Sequence, residues 1–240
     1  MRRTLEILNK NERSVEITDA HRLEIKEYLD LLDLSIDIPT EFIPVKSEKD
    51  EKDEKDEKNK YNKHNRNNRN NENSFRTAIS QPGMRYSQAE ALVRQLLLDE
   101  EFQNISAVDR AWILERILNE IRGRMMEDIV LLETKMANPH KNVFRLQFAV
   151  GEFDMVIVDP NKITAEIYEI KHSSEQAAEQ YKNLIDHEKC SATEFRYGNI
   201  MRKAVIYRGE NATVNTMNGN IDYINVEDYL NGLRQEMKLL

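Results

Sequence analysis

Residues 151–175 read GEFDMVIVDPNKITAEIYEIKHSSE. Two apolar runs flank a turn, and Asp154, Glu169 and Lys171 sit inside those runs. Side chains alternate across a strand, so Glu169 and Lys171 share one face. Whether the loop is Asn161–Lys162 or Pro160–Ile163, the register is the same. Asp154 then lies opposite Glu169, on the face of Lys171. Directly opposed Cβ atoms are about 4.5–5.5 Å apart. Two carboxylates that close repel each other unless a positive group lies between them. A divalent cation meets that need, and hard oxygen ligands favour Mg2+ or Mn2+. The plain alternative is a cross-strand salt bridge on an exposed face, which contributes little. Against that alternative, Phe153, Met155, Val156, Ile157, Val158, Ile167, Tyr168 and Ile170 make these strands apolar enough to be covered on both faces.

The surrounding sequence supplies the cover. NVFRLQFAV is a third strand-like run just before EFDMVIVD and TAEIYEIK. A long helical region precedes it, from about Val108 to Met136, with Gly123 as a kink or break. SSEQAAEQYKNLIDHEKC reads as a helix with Ala177, Tyr181, Leu184 and Ile185 on one face. Short strands are expected over 203–209 and 221–226, and a last helix over 227–238. This order predicts an α/β domain over 108–240, a mixed sheet flanked by helices. Cys190, Trp112 and the Met125–Met126 pair read as core or near-core residues, and Glu133 as solvated.

Three segments come first. In 1–45, a helix capped by Thr18 or Asp19 is followed by a short strand that stops at Pro39. Helix then strand suits a partial winged-helix segment, too short to be stable alone. Residues 46–74 pass from a Glu-Lys-Asp repeat into an Asn-rich tract with nothing but Tyr61 to bury, so a disordered linker is expected. Lys60, Lys63, Arg66 and Arg69 make a nucleic-acid-contacting tail the alternative there. A connecting segment over 75–107 carries an amphipathic helix at 86–102, capped by Ser87.

Bulk properties narrow the class. The chain has 240 residues, 40% of them hydrophobic, enough to build a core. No apolar run approaches the ~20 residues of a membrane helix. The N-terminus lacks an apolar signal core, so no membrane partner and a cytoplasmic location are expected. A single cysteine, Cys190, excludes an internal disulfide framework. The net charge is −8 and no segment is strongly basic, which argues against a tight non-specific nucleic-acid binder.

Asp154, then about fifteen residues, then the Glu-x-Lys of 169–171 resembles the PD-(D/E)XK nuclease superfamily. Glu127, in GRMMEDIVLLE, stands where that superfamily carries a glutamate on the helix before the sheet. More narrowly, ITDAHRLEIKEYLDLLDLSIDIP, PGMRYSQAEALV, GRMMEDIVLLE, EFDMVIVD and EIYEIKHSSE look like the C-terminal half of prokaryotic AAA-type ATP-binding proteins with a winged-helix segment and a nuclease-like domain. The resemblance implies a restriction-endonuclease-like sheet and cleavage of nucleic acid with Mg2+ or Mn2+. It implies that Asp154 and Glu169 hold the metal, that Glu127 assists directly or through water, and that Lys171 orients the attacking water. Glu152 is a further carboxylate two residues before Asp154. His172 is expected on the other face, packing or capping.

Two departures accompany it. No Gly-x-x-x-x-Gly-Lys-Ser/Thr phosphate loop occurs, so neither nucleotide nor ATPase activity is expected. A truncated gene, or a split protein with a separate ATPase partner, is the corresponding expectation. Nuclease relatives often place a Gln and a Tyr four residues apart after Glu-x-Lys; here Gln176 and Tyr181 are five apart. A catalytically silent binding or assembly module is therefore the alternative function.

Overall fold

The computed structural model describes residues 18–32, 34–45, 74–98, 102 and 104–237. Helix α1 (Asp19–Leu31) leads into β1 (Ser35–Ile43); β2 (Ser74–Ile79), α2 (Pro82–Leu96) and α3 (Ala107–Ala137) follow. Three strands come next: β3 (Asn142–Phe148), β4 (Glu152–Asp159) and β5 (Thr164–Ile170). A 3-10 turn (Ala178–Tyr181), α4 (His187–Tyr197), β6 (Asn199–Tyr207), β7 (Ala212–Thr216), β8 (Gly219–Asn225) and α5 (Val226–Met237) complete the described chain. The strands form one mixed sheet of eight, in the order β2-β1-β3-β4-β5-β6-β8-β7. The fold is therefore α/β, a mixed sheet flanked by helices.

Both faces of the sheet are covered. On one, Met126, Val130, Leu131 and Leu132 of α3 pack on Ile38, Met155, Ile157, Tyr168, Ile170 and Ile206. On the other, Leu184 and Cys190 pack on Phe153, Val156, Val158, Ile167, Val205 and Tyr223. Thr134 Oγ1 meets Tyr229 Oη at 2.9 Å, joining α3 to α5. Tyr86 Oη donates to Asp128 Oδ2 at 2.7 Å, joining α2 to α3.

The N-terminal segment does not stand apart from this sheet. β1, within the part read as a winged-helix segment, pairs in parallel with β3, and β2 pairs antiparallel with β1. The charged and Asn-rich tract lies outside the described residues apart from Ser74. β1 runs on through Pro39 rather than stopping there. Its ladder with β3 begins only at Thr40, so no bond to β3 needs the N–H that Pro39 lacks.

Helix boundaries show further differences. α2 starts at Pro82, after Gln81 in the cap position, not at Ser87; proline fits a first helical residue because its missing N–H would have no partner there. α3 is one unbroken helix through Gly123. At 31 residues it is about 46 Å long, far longer than the strands beneath it. Its buried residues begin only at Leu118. Trp112 therefore lies on an overhang and is 61% exposed, not in the core. Residues 173–186 do not form the expected α-helix; only the 3-10 turn at Ala178–Tyr181 is helical there. α4 begins at His187, where the Asp186 carboxylate accepts from the backbone N–H groups of Glu188 and Lys189.

Candidate active site at the end of strands β4 and β5

The β4–β5 ladder pairs Met155 with Tyr168 and Asp159 with Thr164, across a four-residue loop. Asp154 and Glu169 are the next positions in that register, as the hairpin count expects. Both are buried, at 5% and 3% exposure. Their side chains converge on Lys171, whose Nζ lies 2.9 Å from Asp154 Oδ2 and 2.5 Å from Glu169 Oε2. Asp154 Oδ2 also accepts the backbone N–H of Ile170 at 2.8 Å.

A β-bulge sits at Asp154. From Phe144 to Leu146 β3 advances two residues, while β4 moves three, from Val156 to Phe153. Asp154 and Met155 thus share the place opposite Arg145. A bulge re-aims a side chain and breaks strict alternation. It leaves Phe153 on the same face as Val156 and Val158.

Behind Glu169 lies a polar group that the sequence did not announce. Asn183 Nδ2 donates to Glu169 Oε1 at 3.0 Å and to the Glu152 carbonyl at 3.2 Å. Asn183 Oδ1 accepts from Lys189 Nζ at 3.1 Å. Lys189 is 3% exposed and lies 3.7 Å from Asp186 Oδ2. Gly151 packs against this group with φ +79°, and a Cβ there would fall 2.9 Å from Asn183 Oδ1. Reading 173–190 as a helix hid Asn183, because a turn was needed to carry it over Glu169.

Electrostatics follow from burial. Burial first, and then the Asp154 charge, push the Glu169 carboxyl up to about 8. Burial works against the Lys171 ammonium, but the two carboxylates outweigh it and hold its pKa above the ordinary lysine value. The bridging positive group between the carboxylates is thus, in this fold, the lysine itself.

Glu127 does not join this set. It stands on α3, which covers the Tyr168–Ile170 face, whereas Glu169 points to the Asn183 face. Among the described residues no three His, Cys, Asp or Glu side chains are grouped to hold a metal ion. Glu127 instead lines an open cleft of about 640 Å³ together with Lys171, His172, Arg116, Arg124 and Arg208. Glu152 is engaged elsewhere, 2.7 Å from Arg145. His172 lies on the α3 side, opposite the Glu169 face as alternation expects; it packs at Gly123, where an added Cβ would lie 3.8 Å from the His172 Cβ, and it lines this cleft. It lies 3.3 Å from Arg208, and burial followed by the Arg208 and Arg122 charges lowers its pKa. Gln176 bonds Tyr207 at 3.0 Å, and Gln180 lines the cleft.

Two buried carboxylates suit a hard cation of the magnesium type, which takes one or two carboxylates and completes its shell with water and phosphate. Asp154 Oδ1 accepts no hydrogen bond among the described residues, so one donor oxygen is available. The donor set fits on that footing and not as a three-carboxylate cage.

No protein-family model matches the chain, and no curated protein or solved structure shows significant similarity to it. No described helix is long and apolar enough to cross a membrane.

Proposed function

We propose that the Asp154–Glu169–Lys171 corner is the centre of a metal-dependent phosphodiesterase on a restriction-endonuclease-like sheet, acting on nucleic acid. The observation that carries this reading is the convergence of two buried carboxylates on one lysine at the wall of an open cleft. Asp154 and Glu169 would hold Mg2+ or Mn2+, which supplies Lewis-acid stabilisation of a phosphoryl oxygen when bound. Ile170 N–H and Asn183 Nδ2 fix the two carboxylates so that they need not reorganise. The Lys171 side chain, one-third exposed, lines the cleft and would hold a phosphate oxygen or an attacking water. Glu127 acts from the far wall, through water.

A second reading, a catalytically silent binding module, draws on Lys171 already neutralising the pair. Cleavage of plasmid and single-stranded DNA with Mg2+ or Mn2+ separates the two. Wild type is expected to cut, and Asp154→Ala and Lys171→Ala to lose activity at least about a hundredfold while keeping the wild-type circular dichroism. Cleavage that persists in both variants would remove the site assignment. A wild-type chain that neither cuts nor binds Mn2+ would leave the silent module.

A further inference from the structure

Trp112 is exposed on the overhang of α3, and the guanidinium of Arg116 lies 5.2 Å from its ring centroid. Four residues apart on a helix, the two share a face. That face leads into the cleft, which Arg116 lines together with Arg124, Glu127 and Lys171. From Trp112 to Glu127 the helix covers about 22 Å, a few nucleotides of strand. Arg124 is paired with Glu120 at 3.1 Å. Arg116 and Arg208, by contrast, form no salt bridge with a carboxylate among the described residues. The cleft walls also carry Glu120, Glu127 and Glu175, so the place for an anion is local, at the two arginines without a carboxylate partner.

We propose that Trp112 and Arg116 form a stacking platform for an unpaired nucleobase at the outer end of the cleft, with Arg116 and Arg208 holding phosphates of the same strand. A flat ring with a guanidinium on it suits a planar base beside a phosphate, and base–aromatic stacking tolerates any sequence. A base paired within a duplex cannot stack there, so the ligand is a single strand or a frayed end. The inference rests on the nuclease reading for where the strand leads, at Lys171, and it stands or falls separately as a binding site.

Trp112 is the only tryptophan, so intrinsic fluorescence reports on the platform directly. The full chain is titrated in EDTA, which prevents cleavage, with a short oligothymidylate, an oligouridylate, an abasic oligomer of the same length, and heparin. Saturable quenching is expected with the two base-bearing strands and not with the abasic strand or heparin. By fluorescence anisotropy of a labelled strand, Trp112→Ala is expected to weaken binding about tenfold and Trp112→Phe less than about threefold. Arg116→Gln is expected to lower the slope of log affinity against log salt by about 0.7. Equal binding by wild type and Trp112→Ala overturns the platform, as does equal quenching by the abasic strand and heparin. Quenching by a wild type that never cuts supports the platform and counts against the nuclease reading. Cutting without quenching does the reverse.

Discussion

Glu169 concentrates the physical tension of the molecule. Its carboxyl is 3% exposed, faces another carboxylate, and has a pKa raised from 4.5 to about 8. The folded chain therefore holds a proton that the unfolded chain releases near pH 4.5. Between these values the folded state binds more protons, so this residue's contribution to stability falls as pH rises from about 4.5 to about 8. Glu169→Gln carries no such proton. Melting temperature measured from pH 5 to 9 is expected to fall more steeply for wild type than for Glu169→Gln, and parallel curves would contradict the assignment. Asn183 is the second residue to test. Removing its donor to Glu169 Oε1 is expected to weaken Mn2+ binding about tenfold or more, read by calorimetry on Asn183→Ala. The pair Asp154 and Glu169 was legible from the hairpin count because a strand period of two leaves little freedom. Asn183 was not, because contacts between distant turns leave no local pattern.

Elements were legible where burial imposes a pattern. β3, β4 and β5 are apolar runs with turn residues between them, and their antiparallel pairing follows. β7, ATVNT, was missed because this edge strand is short and its alternation rests on two small apolar residues, Ala212 and Val214. β2, SFRTAI, was missed beside a charged tract. The spacing of Ala177, Tyr181, Leu184 and Ile185 imitates a helix. Tyr181, Leu184 and Ile185 instead meet the core from a 3-10 turn and the loop after it. The turn between α4 and β6 depends on one residue. Gly198 has φ +97°, and a Cβ there would lie 2.0 Å from the Ile163 carbonyl oxygen, itself in a loop where Ile163 has φ +52°. Gly198→Ala must shift backbone against backbone. Chemical denaturation is expected to show a loss of at least about 1–3 kcal/mol. A loss under a few tenths would mean that the β4–β5 loop yields freely.

At the scale of the whole molecule, the sheet joins segments that the sequence separates. β1 and β2 flank the charged tract, yet β1 pairs with β3 inside the eight-stranded sheet and β2 forms its edge. Lys135 Nζ donates to the Asp37 carbonyl at 2.7 Å, and Ile38 is fully buried beneath α3. Composition marked the charged tract clearly but could not say that the chain on both sides returns to one sheet. Pairing across such a sequence distance carries no local signature. A fragment of 108–240 would leave the β3 edge unpaired, a ready template for association. Gel filtration is expected to show that fragment aggregating or melting well below the full chain; a monomeric fragment of equal stability would show β1 and β2 to be dispensable. What the buried carboxylates hold is tested most directly by Mn2+ titration, read by electron paramagnetic resonance at pH 8.5, on wild type and on Asp154→Asn, which keeps an acceptor for the Ile170 N–H. One bound ion in wild type, lost in Asp154→Asn, is the expected result. Equal Mn2+ binding by both chains, or none by wild type, would contradict a metal site at this corner.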